Sequence, residues 1–266
     1  MPAAFLSPLA KFALSLEGAV ATIAIDNPSK RNAIDLQMWK ALPSIMAALD
    51  GDERVRVILM RGAGNGAFTS GADISEFETV RADAAGGRLY EAANEAAFWA
   101  VAHCSKPVIA MIRGFCLGGG FGLALACDLR VAAENAVFGI PAARLGVGYP
   151  PGAMRLVTAA VGGPAARDLF YTARRIGAAE AQRLGVVQRV VPDEELETAA
   201  VGLATEIAAN APLTIRAAKA AIDDALGIGH PNTDPVRLAD SCFDSADAVE
   251  GRQAFLEKRR PVFTGR

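Results

Sequence analysis

The glycines of two stretches, GAGNGAFTSGADI at 62–74 and GFCLGGGFGLALACD at 114–128, offer chemistry that needs no acid or base. In the second, Gly118, Gly119 and Gly120 stand directly before an apolar run with almost no strand character, and Gly122 sits one turn inside it. A strand, a turn, a run of glycines and then a helix leave the backbone N–H groups of the helix N-terminus open, with no side chain to keep a ligand away. Such groups favour negative charge. The simpler use of the same glycines is tight packing of a helix against a sheet, and one cluster alone does not separate the two. The first stretch also follows a strand-like run, also carries glycines, and ends where backbone N–H groups can face the same pocket. Paired loops of this kind after neighbouring strands can clamp one oxygen from both sides.

The elements that must position these loops are short. VATIAID (20–26), VRVILMRG (55–62), PVIAMIRG (107–114) and LRVAA (129–133) read as strands, with helical segments between them, so an α/β domain is expected. The first helix is expected to start with Asp35 as N-cap and to carry Leu42, Ile45, Met46 and Leu49 on one stripe, with Pro43 breaking it or shortening its first turn. Strand starts fall at unequal intervals, which fits a spiral of unequal turns and not a solenoid of fixed period. From about residue 195 the strand-like runs stop. LETAAVGLATEIAANAP, LTIRAAKAAIDDAL and DAVEGRQAFLEKRRP are helical in pattern, and GIGHPNTDP (227–235) reads as a loop or hinge between helices.

A chain of 266 residues that is 52% hydrophobic supplies a sizeable core, and 27 Lys+Arg against 29 Asp+Glu give no overall field toward nucleic acid or an anionic membrane. A small soluble ligand is the expectation. Cys104, Cys116, Cys127 and Cys242 form no C-x-x-C pair and read as reduced thiols in a cytoplasmic setting. The N-terminus has no basic segment ahead of an apolar core, and the apolar run from Gly114 to Cys127 is too short to span a bilayer, so neither export nor membrane insertion is expected. His103 and His230 have no serine or cysteine partner in a recognisable motif, and no metal-ligand spacing is present, so no metal is expected. Asp73, Glu76 and Glu78 are explained by a solvated first helical turn, and Asp128 by a cap or an ion pair.

NPSKRNAID, AFTSGADISEF, KPVIAMIRGFCLGGGFGLALACD, FGIPAARLG, TARRIGAAEAQRLGVVQRVVP and DAVEGRQAFLEKRRPVF together resemble, in order and over nearly the whole chain, the crotonase superfamily of enoyl-CoA hydratases and isomerases. The resemblance implies a spiral of strand-strand-helix turns over 1–195 that binds acyl-CoA. It implies a helical C-terminal part over 196–266 that serves trimerisation, with a homotrimer or a hexamer built from paired trimers. No prosthetic group is implied, and coenzyme A enters as part of the substrate. Carried over residue by residue, the resemblance puts one oxyanion N–H on Ala72 and the other on Gly119, with the thioester carbonyl between them. Enolate chemistry next to a thioester builds charge on that oxygen, and each preorganised donor contributes about 3 kcal/mol.

Family members that hydrate enoyl-CoA carry glutamates at positions that correspond to Gly122 and Ala142, and neither of these can transfer a proton. General acid–base groups contribute roughly 10² to 10⁴ in rate, so the two-glutamate mechanism is closed to this chain. Restoring both glutamates is expected to raise hydration if the pocket geometry is otherwise kept. Tyr149, in LGVGYPPG, stands where glutamate-free methylmalonyl-CoA decarboxylases are similar and use a tyrosine, although Pro141 replaces their hydroxyl-bearing residue. Its phenol can orient a substrate carboxylate, or it is only a half-buried tyrosine at a loop edge. Arg144 is expected to be an ion-pair partner. For the CoA handle, the resemblance implies Lys30, Arg31, Ala33 and Ile74 along the pantetheine and adenine, with Phe255 and Lys258 near the nucleotide. The chain is thus expected to be a lyase or isomerase of acyl-CoA thioesters with non-standard acid–base residues. The alternatives are a decarboxylase of a carboxylated acyl-CoA using Tyr149, and a non-catalytic acyl-CoA binder.

Overall fold

The computed structural model describes residues 3–4 and 9–266. Its main sheet has seven strands in the order β1 (Ala3–Ala4), β2 (Phe12–Glu17), β3 (Val20–Ile25), β4 (Val57–Gly62), β5 (Val108–Ile112), β7 (Leu129–Ala133) and β10 (Arg189–Val191). Pairing is antiparallel as far as β3 and parallel from β3 onward. A second sheet takes β6 (Phe115–Leu117), β8 (Val137–Gly139) and β9 (Arg175–Gly177), with β6 parallel and β9 antiparallel to β8. The chain steps from one sheet to the other and returns through a helix. β5 and β6 lead into α4 (Gly119–Ala126), and β7 and β8 lead into α5 (Ala142–Leu145) and α6 (Pro151–Thr172), the last broken at Gly162 where φ is +75°. These are the strand-strand-helix turns that the resemblance implies.

The central strands are apolar on both faces because both faces are covered. Val57, Leu59, Ile109, Met111 and Val131 pack on Leu196, Ala200, Leu203 and Ala204 of α8 (Leu196–Ala208). Ile58, Met60, Val108, Ala110 and Ile112, one residue out of step, join the larger core with α1 (Leu36–Gly51) and α3 (Ala84–Ala102). The expected cap of α1 is present, since the Asp35 carboxylate accepts from Met38 N at 2.8 Å. The expected break at Pro43 is absent. Buried Met38, Trp39 and Leu42 before it, and Ile45, Met46 and Leu49 after it, hold both halves of one continuous helix against the core.

Four of the strands fall on the runs read from sequence, whereas β1, β2, β6, β8, β9 and β10 lie outside them. Apart from β2 these have only two or three residues each, too few to display a period of two. The C-terminal part is helical as expected, with α8, α9 (Pro212–Ala225), α10 (Pro235–Phe243) and α11 (Ala246–Glu257). The stretch read as a hinge ends in the start of α10, where the Asp234 carboxylate accepts from Val236 N and Arg237 N, and Pro235 takes the first helical position. No helix among the described residues is long and apolar enough to cross a membrane.

Candidate active site

Asn32, 1% exposed, organises the first glycine loop from below: its amide donates to the carbonyls of Ala63 and Ala67 at 3.2 and 2.7 Å. Beyond it, Thr69 bridges to Cys116 of β6 and Ala72 bridges to Ile34, so the loop extends the smaller sheet. Gly71 lies against the second loop with φ at +99°, and a Cβ there would stand 2.6 Å from the Leu117 carbonyl oxygen. Only glycine permits that approach. Gly118, at φ +54°, donates its N–H to the Gly139 carbonyl at 2.8 Å and turns the chain into α4, of which Gly119 is the first residue. The N–H groups of Ala72 and Gly119 donate to no other described residue, and both residues line one cavity of about 80 Å³. The sequence alternatives therefore coexist, since Gly120 serves close packing on Thr69 while its neighbour presents a donor.

The cavity also brings Ala142 and Tyr149 to the same wall. Gly122 lies one turn into α4, and a Cβ there would stand 2.8 Å from the Phe98 ring and 3.5 Å from the Tyr149 hydroxyl. Phe98 is 2% exposed and packed edge-on against Trp39, so the condition for restoring a glutamate at position 122 is not met: the aromatic ring already occupies that space. The Tyr149 hydroxyl is buried with no hydrogen-bond partner, and burial pushes its pKa well above the ordinary phenol value. At neutral pH it is therefore a donor and not a base.

Arg81, Glu91 and Asn94 complete the wall and were not singled out from sequence. Arg81 follows the short helix α2 (Phe77–Val80) and lies with its guanidinium carbon 4.4 Å from the Phe77 ring centroid and 4.1 Å from that of Tyr90. It pairs with Glu91 through Nη2, while its Nε is buried without a partner. Desolvation lowers the Arg81 pKa from its ordinary value. Asn94, 5% exposed, has an unpartnered Oδ1 located 3.3 Å from where a Cβ on Gly119 would be. A buried polar atom left without any partner costs about 1–3 kcal/mol, so these atoms call for a water or a ligand group to pair with. The only sequence signal was helical: Tyr90 and Asn94 are four residues apart on one face of α3. A second opening of about 620 Å³ shares Arg81, Glu91, Val147 and Tyr149 with the first.

The residues expected along the CoA are more scattered. Ile74, 62% exposed, lines the cavity mouth. Lys30 is tied by its Nζ to Asp73 at 2.6 Å and to the Ser75 hydroxyl at 2.8 Å, bracing the loop that carries Ala72. Arg31 adopts φ +54° with its guanidinium 5.8 Å from the Phe115 ring centroid, and Ala33 is buried with its carbonyl accepting from Asn27. Phe255, 82% exposed, is on α11, and Lys258 is its C-cap just past the last turn; neither lines the cavity. Arg144 is exposed on α5.

The remaining polar candidates have structural partners. Asp73 caps the turn Ile74–Glu76 by accepting from Ser75 N, and Glu76 accepts from Leu36 N at the start of α1. Asp128 accepts from Val108 N at 2.7 Å and from Lys219 at 2.9 Å, as an ion-pair residue. His103 and His230 face each other at 4.9 Å between ring centroids, and among the described residues no cluster that could hold a metal is present.

Residues 15–266 match the enoyl-CoA hydratase/isomerase family. The chain is 34% identical to the short-chain-enoyl-CoA hydratase of Clostridium acetobutylicum, over 93% of this chain and 95% of that one. It is 35% identical to the crotonyl-CoA hydratase of Syntrophomonas wolfei, over 94% and 96%. A solved structure of an enoyl-CoA hydratase/carnithine racemase from Magnetospirillum magneticum is similar with a TM-score of 0.90 and 36% identity, covering 97% of each chain. The matched segment begins inside β2, holds both glycine loops and runs to the last residue, and by it the chain belongs to the enoyl-CoA hydratase/isomerase family.

Proposed function

We propose that the protein is an acyl-CoA lyase or isomerase of the hydratase type, whose oxyanion hole is the pair of N–H groups on Ala72 and Gly119. The observation that carries this reading is that neither N–H donates to another described residue and that both residues line one cavity. A thioester carbonyl placed between them gains two donors as it becomes an enolate, with no reorganisation needed during the reaction. The relatives named above are hydratases, which supports addition of water across a conjugated alkene, or its reverse, as the reaction. Exposed apolar side chains on the C-terminal helices, such as Val236, Phe243 and Leu256 at 70–82%, support a trimer or hexamer.

The acid–base groups differ from the pattern that the resemblance implies. With Gly122 and Ala142 inert, Glu91 is the carboxylate that lines the cavity, and Tyr149 is a neutral donor. Glu91 is held in an ion pair with Arg81 and both family glutamate positions are inert, so slow turnover is expected. Decarboxylation with Tyr149 holding a carboxylate is the second reading, favoured by the unpartnered hydroxyl. The Arg81–Glu91 pair counts against it, because it leaves no net positive charge for that carboxylate. Assay with crotonyl-CoA should show hydration about 100-fold or more below a two-glutamate relative, and methylmalonyl-CoA should yield no propionyl-CoA. Hydration at the relative's rate would contradict the acid–base reading. Turnover of neither compound, with both bound, would leave a non-catalytic binder.

A further inference from the structure

Arg130 of β7 is 4% exposed, and among the described residues its guanidinium is in no ion pair. Its hydrogen bonds go to carbonyls. Nη1 donates to Ala124 O at 3.2 Å and to Cys127 O at 2.6 Å, and Nε donates to Val186 O. The neighbouring carboxylate, Asp128, is held by Lys219 and by Val108 N. A buried charge without a counter-charge is costly, and burial lowers the Arg130 pKa from its ordinary value. An arginine nevertheless stays charged at neutral pH, whereas a neutral donor would tie carbonyls without that cost.

The helix that Arg130 caps gives the charge a use. Ala124 lies in the last turn of α4 and Cys127 is its C-cap, while Gly119, with its open N–H, is the first residue of the same helix. α4 has eight residues and is therefore about 12 Å long. Gly120 to Ala126 are all buried, so water screens little along its length. A helix carries roughly half a positive charge at its N-terminus and half a negative charge at its C-terminus. In so short a helix the negative end works against an oxyanion at the other end. A cation on the last carbonyls cancels that opposition.

We propose that Arg130 is a positioning residue for the oxyanion hole, acting through Gly119: its buried cation fixes the last turn of α4 and neutralises the negative end of that helix. The proposal rests on the reading of Ala72 and Gly119 as donors to a thioester carbonyl. A unit charge acting across about 12 Å at an effective dielectric of about 20 corresponds to roughly tenfold in rate. A plain staple between α4 and Val186 would need the hydrogen bonds of Arg130 but not its charge.

The test is infrared difference spectroscopy of butyryl-CoA isotope-labelled at the thioester carbonyl carbon. It is bound to wild type, Arg130→Lys, Arg130→Gln and Asp128→Asn, each checked for an intact melting transition. Lysine keeps the charge, and glutamine keeps a donor without it. On wild type and Arg130→Lys the bound carbonyl band should lie below that of the free thioester. On Arg130→Gln it should return part of the way, with butyryl-CoA affinity unchanged within about twofold. Hydration of crotonyl-CoA by Arg130→Gln should fall roughly tenfold in kcat with KM held. Asp128→Asn removes a negative charge from the same helix end and keeps an acceptor for Val108 N, so it should move the band further down. That variant carries the test alone if Arg130→Gln does not fold. Equal bands in wild type and Arg130→Gln, equal recovery in Arg130→Lys and Arg130→Gln, or an unmoved band in Asp128→Asn would each overturn the proposal and leave the oxyanion hole in place. A band that does not shift when the thioester binds wild type would overturn the reading of Ala72 and Gly119 beneath it.

Discussion

Two cavities of this molecule contrast sharply in how their polar groups are partnered. The one between the end of α3, α9 and the 227–235 loop is larger, about 320 Å³, and richer in ionisable groups, with His103, Cys104, Lys219, Asp223 and His230 on its walls. Its groups are nevertheless occupied: Lys219 with Asp128, His103 with the Ile228 carbonyl, the Ser105 hydroxyl with Asp50. Burial pushes the Cys104 thiol up to about 12, which makes it inert at neutral pH. The cavity at Ala72 and Gly119 is smaller and has few charges, yet it contains free backbone donors and the unpartnered side-chain atoms. Unused hydrogen-bonding capacity, and not the number of acids and bases, is what sets the second cavity apart and supports the proposal that it is the binding site.

The contrast breaks most visibly at Gly71. Gly71→Ala puts a methyl 2.6 Å from the Leu117 carbonyl at φ +99°, which pushes the two loops apart. Loss of turnover of about 100-fold or more is expected, with a stability loss of about 1–3 kcal/mol, read by acyl-CoA kinetics and thermal melts. Unchanged kinetics would mean that the contact between the loops does not set the donor geometry.

Tyr149→Phe sharpens the distinction between an orphaned hydroxyl and a used one. Turnover should fall about tenfold while the melting temperature holds or rises, because an unpaired buried oxygen is removed. Tyr90→Phe should behave in the opposite way and lose about 1–2 kcal/mol of stability, since the Tyr90 hydroxyl accepts from Trp39 Nε1 at 3.0 Å. Equal destabilisation by the two substitutions would show that the Tyr149 hydroxyl has a partner in solution.

In the occupied cavity the effect is expected on stability alone. Burial raises the Asp223 carboxyl to about 6, against the pull of Lys219 and with a smaller push from Asp128. A carboxyl with a raised folded-state pKa binds more protons folded than unfolded, so it costs stability as pH rises from about 4 to about 6. Asp223→Asn should therefore gain stability over wild type by about 1–2 kcal/mol, appearing across that interval and level above it, with no change in turnover. His103, whose pKa burial lowers, contributes the opposite slope, but it does so in both proteins and drops out of the difference. A gain that is constant from pH 4 to pH 8 would contradict the assignment.

What was legible in the sequence was whatever the backbone alone could do. Glycines before α4 and in the 62–74 loop signal close approach and open N–H groups, and the Asp35 cap and the long central strands carry their own local pattern. Arg81, Glu91 and Asn94 carry nothing beyond the helical spacing of Tyr90 and Asn94, because their place on the wall arises from tertiary packing of α3 and of the turn after α2, which has no spacing rule. The same holds for position 122, where glycine reads as a lost acid until Phe98 is seen to fill the space. Pro43 misled in the other direction, since packing on both sides overrides a local breaker.

The central claim is that Ala72 and Gly119 hold the carbonyl of an acyl-CoA. A crystal structure of the protein with butyryl-CoA measures it directly. The thioester oxygen is expected within about 3.2 Å of both backbone nitrogens, and an oxygen more than about 4 Å from both, beyond any hydrogen bond, would contradict the account.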